Sequence, residues 1–74
     1  MPLDKGSWSV LVDLCESLLL DSDGLTRCQA GSRRATVLQM RYEYTLQEIE
    51  KLQPRTYERA GAVNQAQHEL AARR

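Results

Sequence analysis

The sequence predicts a mainly α protein with a two-helix, hairpin-like core. It becomes α+β if the segment joining the helices forms a short β-hairpin rather than an extended loop. Three observations carry this prediction. In TVLQMRYEYTLQEIEKL, residues 36–52, the side chains Leu38, Tyr42, Thr45, Ile49 and Leu52 recur four, three, four and three residues apart, which is one stripe of a helix. Between Trp8 and Leu20 a second helical stripe is formed by Trp8, Leu11, Cys15 and Leu18, with Leu14 beside it. Between these stripes lies Asp21-Ser22-Asp23-Gly24, a strong turn signal.

The elements follow in chain order. Residues 1–53 are expected to form one small helical domain, with helices over about 7–20 and 36–53 and a hairpin or loop over 24–35. Residues 54–74 are expected to be a C-terminal tail or a third helix. Ser7 is the expected cap of the first helix, since its hydroxyl can accept a free N–H of the opening turn. Val10, Val12, Leu19 and Leu20 widen that helix's apolar surface beyond what one partner helix covers, which calls for a second contact. Gly24 would end the helix at positive φ. In LTRCQAGSRRA, residues 25–35, only Thr26 is β-branched, so two short strands and an extended loop are nearly balanced. Thr36 and Gln39 have the spacing of a capping box, in which hydroxyl and amide each satisfy the other's backbone N–H. Pro54 stops the second helix and suits the first position of another. Beyond it, Tyr57, Ala60, Val63, Gln67 and Leu70 trace a thin stripe, poor in large apolar residues.

Composition narrows the function classes. The chain has 74 residues, 42% hydrophobic and 27% charged, and so offers one small core worth roughly 3–5 kcal/mol and needing staples or neighbours. Cys15 and Cys28 allow at most one disulfide, and without a CxxC pair or a Cys/His cluster no structural zinc is expected. Neither a phosphate loop nor an EF-hand alternation occurs, and His68, the one histidine, stands in a Gln-rich stretch without a nucleophile. No catalytic residue, cofactor, metal or small-molecule substrate is therefore expected. No run approaches a membrane span, and no signal peptide is recognisable.

Net charge is zero but polarised. Asp4, Asp13, Glu16, Asp21 and Asp23 against Lys5 give residues 1–24 a charge of −4, leaving +4 on residues 25–74. Such polarity suits head-to-tail contact between copies. Arg27, Arg33, Arg34 and Arg41 form the one locally basic patch, with no acid between Asp23 and Glu43. Arginines there can meet a partner's carboxylates or phosphate. Arg27, Arg33 and Arg34, with the apolar Trp8, Leu19 and Leu20, are the candidate partner-binding residues.

The segment Gly31-Ser32-Arg33-Arg34-Ala35-Thr36, followed by Met40, Ile49 and Leu52, resembles the lambda W-type head-to-tail joining proteins of tailed phages. Their hairpin ends in a Gly-Gly-Arg-x-Val-Thr type of segment that caps the second helix. The resemblance covers about 40 residues, 11–52, and departs from the pattern at Ala35, which stands for a β-branched residue. It implies a non-enzymatic virion protein, made in the host cytoplasm and assembled at the head–tail neck. Copies would form a homo-oligomeric ring beneath the portal, close the head and offer the tail a platform. Contacts would be to portal, connector or tail proteins, near packaged DNA without sequence-specific binding. Two alternatives need no hairpin. One is a small cytoplasmic helical adaptor or secretion co-chaperone that holds a partner helix on an amphipathic face, the stripe of Leu38, Tyr42, Ile49 and Leu52. The other, more distant, is a small DNA-binding regulator, which Glu43, Glu48 and Glu50 on the helix that would read bases argue against.

Overall fold

The computed structural model describes residues 3–73. It is mainly α, with helices α1 (Lys5–Arg27), α2 (Arg33–Lys51) and α3 (Thr56–Ala72), and no strand occurs among the described residues. α1 is the hub: α2 and α3 each pack along it, and their own backbones do not come together. Leu3 meets Glu58, Trp8 meets Gln65 and Glu16 meets Arg73, so α3 runs parallel to α1. Asp21 meets Arg41 and Gly24 meets Leu38, so α2 runs antiparallel to it. The result is a flattened body of 41 × 28 × 17 Å.

α1 is longer at both ends than the sequence predicts. Its cap is Asp4, not Ser7: the Asp4 carboxylate accepts the Ser7 N–H at 2.6 Å. The charged acceptor also favours the positive end of the helix dipole, and the same bond holds the Asp4 carboxyl below its ordinary pKa. At the other end Asp21-Ser22-Asp23-Gly24 does not stop the helix. Tertiary contacts override the turn chemistry: Asp21 is buried against Arg41 of α2, and Leu25 is half-buried. Gly24 serves close approach rather than positive φ, since a Cβ there would lie 3.0 Å from Leu38 Cδ1. The proposed hairpin over 24–35 is thus absent. Residues 25–27 belong to α1, residues 33–35 belong to α2, and only residues 28–32 connect them.

α2 uses the predicted stripe. Leu38, Thr45 and Ile49 are buried, with Tyr42 and Leu52 half-buried beside them, so this stripe is spent on packing within the chain and is not the face on which an adaptor would hold a partner helix. The Thr45 hydroxyl reaches back to the Arg41 carbonyl at 2.9 Å, so a polar residue sits in the seam with its hydroxyl bonded. The helix ends at Lys51, and Gln53, at φ 50, turns the chain ahead of Pro54.

The third element is a helix. Pro54 lies two residues before it rather than at its first position. Its start is fixed by Glu58, whose Oε1 accepts the Arg55 N–H at 2.9 Å and whose Oε2 accepts the Leu3 N–H at 2.8 Å. These two backbone donors hold the buried Glu58 carboxyl below its ordinary pKa. The buried stripe is Glu58, Ala62 and Ala66, not the predicted one; Tyr57, Ala60 and Gln67 face outward. Small side chains let α3 approach α1 closely, and a Cβ on Gly61 would lie 3.2 Å from the Trp8 ring.

The core joins Leu11, Val12, Cys15, Ile49, Ala62 and Ala66. Val12 and Leu19, counted from the sequence as surplus apolar surface, are covered within the chain, and of that set only Val10 and Leu20 stay exposed. Both cysteines are free, and burial pushes the Cys15 thiol up against a smaller opposing effect of Arg59.

Candidate partner-binding surface

The α1–α2 connection reverses the chain in five residues, Cys28-Gln29-Ala30-Gly31-Ser32. The Ser32 N–H donates to the Gln29 carbonyl at 3.2 Å, and Gly31 takes φ +77°, where a side chain would be strained. Ser32 is the cap of α2, its hydroxyl accepting the Ala35 N–H at 3.1 Å. The Thr36–Gln39 capping box does not form. Thr36 lies within the helix and donates its hydroxyl to the Ser32 carbonyl at 3.2 Å, and Gln39 is exposed on α2. Both Ser32 and Thr36 have the chemistry of a cap; the turn at Gly31 selects the earlier one.

This start places Arg33 and Arg34 in the first turn of α2, exposed, with no acid in that turn. Cations there oppose the helix dipole, so the pair weakens the helix it opens. Among the described residues neither has an acidic partner, whereas Arg27 pairs with Asp23 at 3.4 Å and Arg41 with the buried Asp21 at 3.6 Å. Arg34 borders two adjoining hollows. One is lined by Leu20, Asp23, Gly24, Arg27, Cys28 and Ser32; the other by Arg33, Val37, Leu38 and Arg41. Four of the residues singled out from the sequence, Leu20, Arg27, Arg33 and Arg34, are therefore brought to one shoulder of the molecule. No family model, curated protein or solved structure matches the chain. Its function has to be argued from this surface.

An apolar stripe that the sequence reading passed over continues the shoulder. Val37, Met40 and Tyr44 are 50%, 66% and 64% exposed and lie three and four residues apart, on the face of α2 turned away from α1. Its spacing is helical, but it is shorter than the buried stripe on the other side of the same helix and carries no cap or stop signal of its own. Glu43 and Glu50 lie on the flank away from Arg34 and Arg41, while Glu48, seven residues past Arg41, lies on the arginine flank, so that flank is basic only along the first half of α2.

The two remaining candidates lie elsewhere. Trp8 serves the fold: its indole N–H donates to Gln65 Oε1 at 3.0 Å and its ring lies over Gly61. Leu19 lines a groove between the C-terminal halves of α1 and α3 with Leu20, Leu70 and Ala71.

Two buried acids were not foreseen. Glu16 accepts from Arg73 at 3.1 Å through Oε2, while its Oε1 has no hydrogen-bond donor. The Glu69 carboxylate, followed by burial, holds the Glu16 carboxyl above its ordinary pKa against the pull of Arg73. Glu69 is held below its own ordinary value by Glu16 and then by the Gln65 amide. Asp21 Oδ2 also lacks a donor. These carboxylates are scattered: among the described residues no three His, Cys, Asp or Glu side chains could hold a metal ion. Nor is any described helix long and apolar enough to cross a membrane.

Proposed function

We propose that the chain is a non-catalytic helical adaptor that holds a protein partner on the outer face of α2. One observation carries this reading: Val37, Met40 and Tyr44 form an exposed apolar stripe beside arginines that weaken their own helix end and have no acidic partner among the described residues. Local rules broken without compensation within the fold are the mark of a working surface. The internal ion pairs point the same way. Asp21 and Glu16 of α1 meet Arg41 and Arg73 on the flanking helices, so part of the charge polarity is satisfied within one molecule.

The test is a photo-crosslinking amino acid at Met40 in the cell of origin. Crosslinks to a protein support the adaptor. Crosslinks confined to nucleic acid, or none where a control at Glu50 gives as many, refute it.

A second reading, head-to-tail joining in a phage virion, is favoured by the exposed Arg27, Arg33 and Arg34 at one end of the molecule. In it the basic shoulder faces portal or tail protein and copies close a ring. Its motif occupies a loop and a helix start instead of a hairpin tip. Recovery of the crosslinked chain as a ring in purified particles would establish this reading over the adaptor.

A further inference from the structure

We infer that the occupant of the α2 surface is an amphipathic helix with an acidic row along one side of its apolar face, and that Arg33, Arg34 and Arg41 read that row. The inference rests on the adaptor reading and names its partner's chemistry.

Three features of the surface define the occupant. The stripe Val37–Met40–Tyr44 spans two helical turns and projects a narrow apolar ridge, which suits a helix laid alongside. Arg33 and Val37, Met40 and Tyr44, Gln47 and Lys51 continue the same spacing of four and three along all of α2, so the contact has the seam of a short coiled coil. Its N-terminal half differs in sign across the ridge. Arg34 and Arg41 border it on the side toward α1, where Glu48, seven residues further on and paired with Lys51, ends the basic run; Glu43 and Glu50 border the other side. A partner helix therefore needs carboxylates over Arg34 and Arg41, and no acid opposite Glu43, Glu48 and Glu50.

The arginine edge is the stronger determinant. Guanidinium groups accept carboxylates through two parallel hydrogen bonds, which fix position as well as sign. The hollow among Arg33, Arg34, Val37, Leu38 and Arg41 gives such a carboxylate an apolar floor and three cations around it. Arg41 is oriented by Asp21, which also offsets part of its charge, so Arg33 and Arg34 are the cations left without an acid among the described residues. A second copy could meet the arginine side with its own Glu43/Glu50 side only in parallel pairing, since antiparallel pairing about Met40 would bring Arg41 against its own counterpart; dimerisation of the chain separates that occupant from a foreign helix.

The experiment uses the full chain and two synthetic amphipathic peptides with the same leucine seam. One has glutamates on the side that meets Arg34 and Arg41 and lysines on the side that meets Glu43 and Glu50; in the other the glutamates are replaced by glutamines, because merely exchanging the rows would let the peptide regain the match by binding in the reverse direction. Fluorescence anisotropy is expected to show the glutamate peptide, the matched one, binding about tenfold or more tighter than the glutamine peptide, with its affinity falling as salt rises. The double variant Arg33→Glu/Arg34→Glu should lose that preference, while Met40→Ser should weaken both peptides. Circular dichroism reports whether each variant is folded. Arg33→Glu/Arg34→Glu should be at least as stable as the parent, since acids suit a helix N-terminus.

Equal binding of both peptides, no binding, or unchanged preference in the arginine variant overturns the inference. So does a concentration-dependent dimer abolished by Arg33→Glu/Arg34→Glu, which would make the occupant a second copy. Tighter, arginine-dependent binding of a duplex DNA fragment than of the matched peptide overturns it as well. A protein crosslinked at Met40 whose affinity ignores Arg33 and Arg34 sinks this inference and leaves the adaptor reading standing.

Discussion

Replacing Ser32 and Thr36 by alanine, one at a time, separates two starts for the helix that presents the basic shoulder. The Ser32 hydroxyl accepts the Ala35 N–H at 3.1 Å, and its loss leaves an N-terminal donor of α2 without its partner. Removing such a cap costs about 1 kcal/mol. In a chain of 74 residues that corresponds to a fall in Tm of roughly 4–8 °C. Thr36 sits inside the helix with an exposed hydroxyl bonded to the Ser32 carbonyl at 3.2 Å. Alanine there loses a solvent-accessible bond and gains up to roughly 0.5 kcal/mol of helix propensity, so the net change should lie near zero. Urea unfolding followed by far-ultraviolet circular dichroism measures both. The reasoning fails if Thr36→Ala loses as much stability as Ser32→Ala, because α2 would then begin a turn later and Arg33 and Arg34 would lie in a loop.

Ala66→Leu should destabilise the chain by about 1–3 kcal/mol, because Ala66 is fully buried where α3 presses on α1; chemical denaturation reads the loss, and a neutral result would mean the α1–α3 contact is loose. A soluble thiol reagent should modify the half-buried Cys28 well before Cys15, which is buried and whose thiol burial pushes up; equal rates in the folded protein, read by mass spectrometry of the peptides, would contradict the packing. Glu16→Gln should change the pH dependence of stability. The folded carboxyl of Glu16 is held above its unfolded value of 4.5 by Glu69, so its contribution is full below that pH and is lost as pH rises through the folded value. The parent should therefore lose stability relative to Glu16→Gln from about pH 4.5 upward. Parallel urea-denaturation profiles for the two would show that the Glu16–Glu69 pair shares no proton.

The legibility of the fold varied with what kind of force fixed each part. The buried stripe of α2 was readable because Leu38, Thr45 and Ile49 recur at helical spacing, and spacing is a local property. The far end of α1 was not, because Asp21-Ser22-Asp23-Gly24 has the chemistry of a turn and is kept helical by a residue twenty positions away, Arg41. α3 hid for a different reason. Its contact side is Glu58, Ala62 and Ala66, and alanines that pack by closeness rather than by bulk leave little hydrophobic pattern. Within the site, Leu20, Arg27, Arg33 and Arg34 could be picked out by composition, and the fold brings them together. Val37, Met40 and Tyr44 also recur at helical spacing, but spacing alone does not say which of two apolar stripes on one helix is buried; the packing of α2 on α1 decides it.

The polarity of the chain takes on a different meaning once the helices are placed. Opposite charges on the two halves suggested copies meeting head to tail. In the folded molecule α1 lies between the other two helices, so its acids face arginines of its own chain: Asp21 faces Arg41 on one side and Glu16 faces Arg73 on the other. Asp23 is answered by Arg27 a turn later. Such pairing removes acids from the surface faster than it removes arginines, because the acids are the more buried partners: Asp21 and Glu16 side chains are 5% and 9% exposed, while Arg41 and Arg73 are each 64% exposed. A sequence with no net charge thus folds to present cations. Where those cations flank an apolar ridge, as at Arg33, Arg34 and Arg41, the surface attracts an acidic amphipathic segment, and Arg33 and Arg34, which no acid of the described residues answers, supply most of that attraction.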